Sequence, residues 1–537
     1  MDSKPPLLHR PKPPSSLPSV AISSRERDVL KPRRAVRLFP LLLMTIYAAY
    51  CILRIVSSLS SSSSSSSSSA FPHPLQATNS RVVVHERTWD VRSSLQTHII
   101  SSPKETSLRA RQEGPPPASV SCSALINGDA SAAMDWAVLC CDRSHFRTDV
   151  CYMRGRVATV PRSLSIVVDG RRLPRQEETI RPYTRKWEAS VMRTIDVLKL
   201  VAQPSEDDGG GGNATGASPR CDVRHEVPAV VFSTGGYTGN VYHEFSDGLL
   251  PLYATAGRFG GEVVLVVLEY HPWWVAKYGT LVRLISNYEM VDLARDKRVH
   301  CFPEMIVGLR IHGELTIDPR LMPTGKGIRD FQDLLAQGFG RSRRKDQQLP
   351  PTPLLPAITS SRKSKLVILV RSRSRVLQNL RQVIKASQAV GFDVQLLNPK
   401  KCTPMPDLYD SLHAADAVLA VHGAALTHLL FMRPAAVLIQ IVPLGLGWPA
   451  EEFYGQPARA AGLDYMEYKV LPEESSLWRH YDRRDPVIAD PAAITRRGWP
   501  EIKKVYLDHQ NVRVNIRRFR MVLASAYSHV TRTQPRL

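Results

Sequence analysis

The chain has 537 residues, of which 43% are hydrophobic, and it carries 71 Lys and Arg against 49 Asp and Glu, a formal net charge of +22. This length and hydrophobic content predict several domains with real cores and exclude a wholly disordered chain. Eight cysteines in so long a chain exclude a small disulfide scaffold. The positive charge raises the question of nucleic-acid binding.

The N-terminal segment is basic and is followed by an apolar run. Residues 1–56 contain ten basic and three acidic side chains, and a basic cluster directly precedes the uncharged run 38–53. Such a run just spans a thin bilayer, and its basic flank predicts that residues 1–37 stay in the cytosol. The basic segment is long for a cleaved signal peptide and no small-residue cleavage site follows, so we favour an uncleaved signal anchor at 38–56. The sequence predicts a type II membrane protein.

A low-complexity segment follows the predicted anchor. Twelve of the thirteen residues 57–69 are serine, and a Pro/Ser/Thr-rich composition continues to about residue 118. Such a composition cannot bury enough apolar surface to offset the entropy of ordering the chain. Residues 57–118 are therefore predicted to be a flexible stem that holds a folded head away from the membrane.

The remaining cysteines and one sequon fit an oxidising lumen. Seven cysteines lie beyond the apolar run, so most are expected to pair, while at least one stays free or pairs between chains. Cys141 and Cys151 do not indicate a zinc site, because no second close Cys/His pair accompanies them. Asn213 begins an Asn-Ala-Thr sequon and predicts a glycosylated surface loop.

The head shows two arrays in which short β-branched runs alternate with helical patterns. This alternation is typical of crossover units around a mostly parallel sheet. A basic, proline-rich linker at 341–365 separates the arrays, so the head is divided into domains 119–340 and 366–537. The first array has predicted strands at 229–232 and 262–269, helices at 242–259 and 273–288, and extended segments with turns at 299–318. The second has predicted strands at 365–370, 392–397, 417–421 and 436–442, and helices at 379–390, 407–415 and 424–431.

Open α/β sheets bind ligands at the carboxyl ends of their strands, so site residues are sought there. A Gly-rich loop at 233–240 follows the first strand, but it has neither the Walker nor the dinucleotide spacing, and a tight structural turn explains it equally well. His243 and Asp247 come next, at a spacing that places them on one helix face. The pair could be a histidine base oriented by the carboxylate, a carboxylate base with a positioning imidazole, or an ordinary helix pair.

Two further clusters follow strands of the second array. Arg371 and Arg375 would share one side if their strand continued, and guanidinium pairs suit a diphosphate, although a solvated basic edge is the plain alternative. His422, Gly423 and Ala424 form a turn whose small residues would let the N–H groups of the following helix face a phosphate. His422 would then lie within reach of a nucleotide or sugar, although a lone histidine in such a place is more often structural.

Several common site motifs are missing from the sequence. The chain contains no Asp-x-Asp pair, the usual carboxylate pair for Mg²⁺ or Mn²⁺ on a nucleotide diphosphate. The Gly-x-Ser-x-Gly and His-Glu-x-x-His motifs are also missing, which argues against common hydrolase and metalloprotease designs. No metal-binding residue is therefore predicted; a divalent metal is compatible with the sequence but not required by it.

Taken together, these segments resemble the plant members of glycosyltransferase family 61, the xylan arabinosyl- and xylosyltransferases. The resemblance covers about residues 138–525 and runs, in order, through 141–151, 232–247, 299–303, 371–375, 421–427, 462–468 and 505–512. Two departures are visible. The family turn usually has Gly and Asn where this chain has Ala425 and His428, and Arg156 replaces a usual Asp.

The resemblance implies a GT-B-like α/β fold, with two Rossmann-like domains facing a cleft. It places domain 119–340 on the acceptor side and domain 366–537 on the nucleotide-sugar side. It also implies a Golgi membrane enzyme that transfers a pentose, with inversion, from UDP-arabinofuranose or UDP-xylose to xylan or a similar polysaccharide. Family roles fall on His243 and Asp247 near the acceptor, and on Arg371, Arg375 and the turn 422–424 around the donor.

Inversion needs a base that removes the acceptor proton and positive groups that stabilise the departing UDP. We expect Asp247 with His243 to supply the first, and the arginines with the helix start to supply the second. The alternatives are an inactive membrane-tethered polysaccharide-binding protein and transfer to N-glycans. The resemblance is also compatible with a homo-complex or a hetero-complex with other cell-wall glycosyltransferases. Nucleic-acid binding is excluded, because a translocated head does not meet nucleic acid and no aromatic-basic recognition motif occurs.

Overall fold

The computed structural model describes residues 121–128, 137–160, 163–170, 173–205, 219–340 and 363–533. The predicted tail, anchor and stem, Asn213 and most of the linker lie outside these residues. Within the described part of the chain, no helix is both long and apolar enough to cross a bilayer. The domain boundaries stay predictions.

Fifteen strands occur in the described ranges, and they form two sheets. The strands are β1 (Val138–Asp142), β2 (Val150–Val160), β3 (Ser165–Gly170), β4 (Gln176–Ile180), β5 (Leu198–Pro204), β6 (Val223–Arg224), β7 (Ala229–Ser233), β8 (Val264–Leu268), β9 (Val291–Asp292), β10 (His300–Val307), β11 (Lys365–Leu369), β12 (Asp393–Leu397), β13 (Ala417–Val421), β14 (Val437–Val442) and β15 (Asp464–Lys469).

Most helices are short and lie between or after the strands. The α-helices are Cys122–Asn127, Ala189–Met192, Val241–His243, Leu250–Ala256, Pro272–Ile285, Ile328–Phe339, Leu380–Val390, Met405–His413, Gly447–Ala450, Gln456–Ala460, Pro486–Ala489, Pro491–Thr495, Trp499–Ile502 and Ile516–Thr533. Wider π-turns occupy Glu244–Leu249, Glu451–Gly455 and Lys503–Asp508, and tighter 3₁₀ turns occupy Gly257–Phe259, Pro319–Leu321, Ala424–Phe431, Pro472–Glu474 and Ser476–Arg479.

The first sheet has ten strands and is mixed. Its path is β4-β5-β3-β2-β10-β7-β8-β9, with β1 added on β2 and β6 on β10. The strands β10, β7, β8 and β9 run parallel, as expected from the crossover pattern. However, β2 is antiparallel to β1, β3 and β10, and β4 is antiparallel to β5. The strands of the predicted array, from residue 228 onward, are therefore parallel to one another as predicted, whereas the unpredicted strands β1–β5 add the antiparallel pairs that make the whole sheet mixed.

The second sheet has five strands in the order β12-β11-β13-β14-β15, all parallel. Its predicted strands are confirmed, because β11, β13 and β14 are apolar runs buried by helices on both faces. Residues 424–431 are also helical as predicted, but as a 3₁₀ helix. The structure is thus a mixed α/β protein.

One hydrophobic cluster contains buried residues from both sheets. It contains Val230 and Leu265 from the first sheet and Val418 and Leu438 from the second. Between them, the ring of Phe245 packs edge-on against that of Phe431 at a centroid distance of 6.0 Å. This shared core brings the segment after β7 against the segment after β13, and both segments carry predicted site residues.

Three disulfides join six cysteines of the described residues. Cys122 pairs with Cys140, Cys141 with Cys151, and Cys221 with Cys301. The prediction that most of the seven cysteines beyond the apolar run form pairs is confirmed. Since Cys141 and Cys151 are oxidised to a disulfide, neither provides a thiolate for a metal.

Candidate active site

The Gly-rich loop after β7 is a rigid turn that begins the helical segment. Gly236 has φ +61°, and a Cβ there would lie 2.7 Å from the ring of Tyr183, so only glycine fits. The Gly239 N–H donates to the buried carboxylate of Glu244 at 3.0 Å, and the Asn240 side chain caps the helix by accepting from the Tyr242 N–H at 3.1 Å. The loop therefore fixes where His243 begins its turn.

His243 and Asp247 meet as their spacing predicts. Although a π-turn begins at Glu244, the Nδ1 of His243 lies 2.7 Å from Oδ2 of Asp247. An ionised carboxylate only accepts hydrogen bonds, so Nδ1 carries the proton and Nε2 has a free lone pair. The His243 side chain is 13% exposed and that of Asp247 is 0% exposed. The nitrogen with the free lone pair therefore belongs to the more accessible member of the pair.

Asp247 is also held by two buried arginines. Nη2 of Arg147 donates to its Oδ1 and Nε of Arg185 to its Oδ2, each at 3.0 Å. Three donors share its two oxygens, and its side chain is 0% exposed. This geometry fits the alternative in which the carboxylate orients a histidine base, rather than the one in which the carboxylate is itself the base.

A second carboxylate, Glu314, extends this network. Its Oε1 accepts from Nη1 of Arg147 at 2.7 Å, and its Oε2 accepts from the hydroxyls of Tyr242 and, at 2.9 Å, Ser246. None of Arg147, Arg185 and Glu314 was predicted as a site residue. Arg147 lies in the segment 141–151 that carries the family resemblance, but no spacing rule links it to a residue 100 positions away.

Arg371 and Arg375 converge, but not because they alternate on a strand. The strand β11 ends at Leu369, and the arginines lie in the loop that follows. Arg375 adopts φ +55° and its N–H donates to the carbonyl of Gln510 at 2.6 Å, which turns the chain back. The expectation that a continuing strand would put both on one side is therefore wrong, although the loop achieves the same proximity.

Among the described residues, no carboxylate forms an ion pair with Arg371 or Arg375, although Asp508 exerts a minor attraction on Arg375. Burial first, and then the positive charge of Arg371, lower the pKa of Arg375 to about 10, and burial also lowers the pKa of Arg371. The Nε of Arg375 is buried and has no hydrogen-bond partner among the described residues. Two close, desolvated guanidinium groups with an unsatisfied donor form a ready site for an anion.

The turn at 422–424 lies against these arginines. His422 is buried, and its Nδ1 accepts from the Gln440 side-chain N–H at 2.8 Å. Burial, followed by the charges of Arg375 and Arg371, holds the pKa of His422 well below its usual value, so the ring is neutral. A Cβ on Gly423 would lie 2.3 Å from Nη1 of Arg371, so the backbone and the guanidinium pack directly. Ala424 begins the 3₁₀ helix.

A small cavity of about 40 Å³ lies beside this turn, at the carboxyl edge of β11, β13 and β14. Its walls are mainly apolar, with Leu369, Leu377 and Val421 among them, and Arg371 also lines it. The cavity is too small to hold a nucleobase, so it provides an apolar wall beside Arg371 rather than a ligand pocket.

Aromatic side chains lie between the pair His243 and Asp247 and the pair Arg371 and Arg375. The ring of Tyr242 lies edge-on to that of His243, with centroids 5.2 Å apart, and to that of Tyr454 at 5.9 Å. Tyr454 is in turn 5.3 Å from the ring of His422. The predicted residues 243, 247, 371, 375 and 422–424 therefore belong to one site, in which Tyr454 is an unpredicted member. Within the described ranges, no group of three His, Cys, Asp or Glu side chains could hold a metal ion.

Comparison with known proteins gives a consistent set of relatives. Residues 310–439 match the family model described as Glycosyltransferase 61. A xylan glycosyltransferase of Arabidopsis thaliana is 44% identical over 396 residues, 72% of this chain and 79% of the relative. From Oryza sativa subsp. japonica, a beta-1,2-xylosyltransferase is 34% identical over 404 residues (72% and 83%), and an alpha-1,3-arabinosyltransferase is 33% identical over 393 residues (73% and 65%).

Proposed function

The chain belongs to glycosyltransferase family 61 and is a glycosyltransferase, and from this membership we propose that it transfers a pentose, arabinofuranose or xylose, from a UDP-sugar to a xylan-type polysaccharide. The observation that carries the proposal is the 44% identity with a xylan glycosyltransferase across 72% of this chain. The relatives named for arabinosyl and xylosyl transfer support a pentose donor.

The proposed architecture is GT-B-like, with two Rossmann-like halves facing a cleft. The all-parallel second sheet, with its crossover helices, supports a nucleotide-binding half, since such sheets bind nucleotides at their carboxyl edge. Arg371 and Arg375, which form a site suited to an anion, lie at that edge. The first half, with its added antiparallel strands, would carry the acceptor-side pair.

On the acceptor side, His243 acts as the base in this proposal. Its Nε2 takes the proton from the acceptor hydroxyl while the hydroxyl oxygen bonds to the anomeric carbon and the bond to UDP breaks, which inverts that carbon. Asp247 accepts the hydrogen bond from Nδ1 throughout and stabilises the imidazolium that forms. Arg147 and Arg185 pair with the carboxylate and hold it in place.

On the donor side, Arg371 and Arg375 bind the diphosphate and stabilise its growing charge as the bond breaks. A bound diphosphate would offset the repulsion and desolvation that lower the pKa of both groups. Arg371→Ala should weaken UDP binding by about tenfold to a hundredfold, the range for hydrogen bonds to charged groups. Arg373→Ala, at an exposed position between them, is the matched control. Calorimetry that shows equal UDP affinity for both variants would remove Arg371 from the donor site.

We further propose that the protein resides in the Golgi membrane as a type II protein with a luminal head. The basic tail and the apolar run of the sequence support this orientation. Protease protection of a C-terminal tag in sealed Golgi vesicles is the test. A tag that is digested in intact vesicles would contradict a luminal head.

The activity test uses microsomes that contain the full-length chain. UDP-arabinofuranose and UDP-xylose are each offered with xylo-oligosaccharides or with an N-glycan acceptor, and the linkage of the product is read by NMR. Transfer of one pentose to the xylo-oligosaccharide is expected. Transfer to the N-glycan alone, or xylan binding without any transfer, would refute the proposal and indicate a glycoprotein enzyme or an inactive binding protein.

A further inference from the structure

Two large aromatic side chains lie on the surface beside the histidine pair. Phe146 is 70% exposed and Trp187 is 48% exposed, and their ring centroids are 5.8 Å apart. Neither belongs to a hydrophobic cluster of the core. Exposing so much aromatic surface costs free energy, which suggests that the two rings together meet a ligand.

Trp187 is stacked onto the same arginines that hold Asp247. The guanidinium carbon of Arg147 lies 5.0 Å from the centroid of the Trp187 ring, and that of Arg185 lies 4.9 Å from it. Both guanidinium groups donate to Asp247. Such cation–π contacts fix the orientation of the indole, about half of which stays exposed to solvent.

A continuous stack leads from Trp187 to the proposed base. Arg185 also lies 5.4 Å from the ring of Tyr237, and Tyr237 stacks on the ring of His243 with centroids 4.3 Å apart. The sequence of stacked groups is therefore Trp187, Arg185, Tyr237 and His243. A ligand that rests on Trp187 has a fixed position relative to the reacting nitrogen.

We propose that Phe146 and Trp187 form an acceptor subsite. A pyranose ring of the polysaccharide stacks on these two side chains, next to the sugar unit of the acceptor that receives the pentose. The proposal rests on the proposed function. The C–H face of a sugar ring carries slight positive charge, and the face of an indole is negative, so the two attract without a charged ligand. Around the rings, Arg143 and Lys186 form ion pairs with Asp149, which leaves a polar rim for sugar hydroxyls.

A saccharide chain is the occupant because it is the acceptor that must reach His243. One ring of that chain presents its hydroxyl to the base, and the next ring falls on the exposed surface that the stack holds in place. The subsite therefore predicts that a longer acceptor binds better than a short one. It also predicts that UDP binding is independent of Trp187.

The test compares xylobiose and xylohexaose as acceptors in microsomes that contain the full-length chain. Trp187→Ala should raise the KM for xylohexaose about tenfold, toward the value for xylobiose, and leave UDP affinity unchanged. Trp187→Phe keeps a ring and should recover most of the preference. The matched control is Tyr288→Ala, a 38% exposed aromatic residue near the amino end of β8, where it donates to Glu262; it should behave as the wild type.

An unchanged KM for xylohexaose in Trp187→Ala would overturn the subsite while the transferase activity stands. An equal loss toward both acceptors together with weaker UDP binding would also overturn it, because that pattern reports damage to the whole site. Absence of transfer to either acceptor by the wild-type chain would overturn the proposed function and, with it, this subsite. A selective loss of the xylohexaose preference supports both.

Discussion

Replacing His243 with Asn is expected to remove the base while keeping the fold. The amide nitrogen of Asn can occupy the place of Nδ1 and preserve the hydrogen bond to Asp247, which is 2.7 Å long in the native protein. The far ring nitrogen Nε2 is lost. Asp247 keeps both guanidinium partners, so the free energy of unfolding should fall by only about 1 kcal/mol, mostly from the lost stacking on Tyr237.

The effect on turnover should be much larger than the effect on stability. General-base catalysis contributes about 10² to 10⁴ in rate, so kcat of His243→Asn should fall by that factor. This fall corresponds to about 3–5 kcal/mol of activation free energy. UDP affinity should not change, because the arginine pair is untouched. The assays are pentose transfer at saturating substrates, calorimetry with UDP, and urea unfolding.

Asp247→Asn is the informative comparison for this variant. It removes the counter-charge that Arg147 and Arg185 share in a site where Asp247 is 0% exposed. Arg147 keeps Glu314 and Arg185 keeps Glu188 as an ion-pair partner. The variant should therefore lose turnover and some stability, but less than the roughly 3–5 kcal/mol that a wholly unpaired buried charge costs. Wild-type turnover in His243→Asn would refute the assignment of the base and shift attention to Glu314. Unchanged stability in Asp247→Asn would refute the structural account of the network.

Two further predictions concern the second half. Gly423→Ala should lower UDP affinity about tenfold, because its Cβ would meet Nη1 of Arg371 at 2.3 Å and φ is +150°. The control Gly447→Ala, where no atom lies within 4 Å of the added Cβ, should bind UDP normally. Calorimetry showing equal UDP affinity for the two variants would contradict the packing of Gly423 on Arg371. Burial lowers the pKa of His428 to about 4. Between about pH 6.5 and 4 this histidine is therefore protonated in the unfolded state but not in the folded state. The free energy of unfolding should fall as pH falls, by about 2.5 kcal/mol at pH 4.5. Urea unfolding at pH 7 and 4.5 should show a smaller fall for His428→Asn, and an equal fall would count against this linkage.

The strands of the second sheet could be predicted because local sequence patterns determine where each strand begins and ends. The ends of each predicted strand there lie within one residue of the observed ends, since β-branched runs buried on both faces end at polar residues or glycines. The strands β1–β5 were not predicted. Their patterns are weak: β4 is a polar edge strand, and β2 is interrupted by Gly155 at φ +128°. Their pairing depends on neighbours distant in sequence.

The candidate site also contains some residues that local sequence patterns predict and others that only the folded structure brings together. The pair His243 and Asp247 could be found because helix geometry links residues four positions apart. The partners of Asp247 could not be found in this way, since Arg147 and Arg185 lie 100 and 62 positions away and only the folded sheet brings them to it. The proximity of Arg371 and Arg375 was expected for the wrong reason, as the chain leaves the strand before either residue.

The disulfide between Cys141 and Cys151 has a consequence for when the enzyme becomes competent. The bond closes the short loop that carries both Phe146 and Arg147, and Arg147 holds Asp247. A newly made chain in a reducing compartment lacks this bond, and its loop is less constrained. The bond therefore links the redox state of the chain to the charge network: with Cys141 and Cys151 reduced, the loop is less constrained and Arg147 is held less firmly against Asp247.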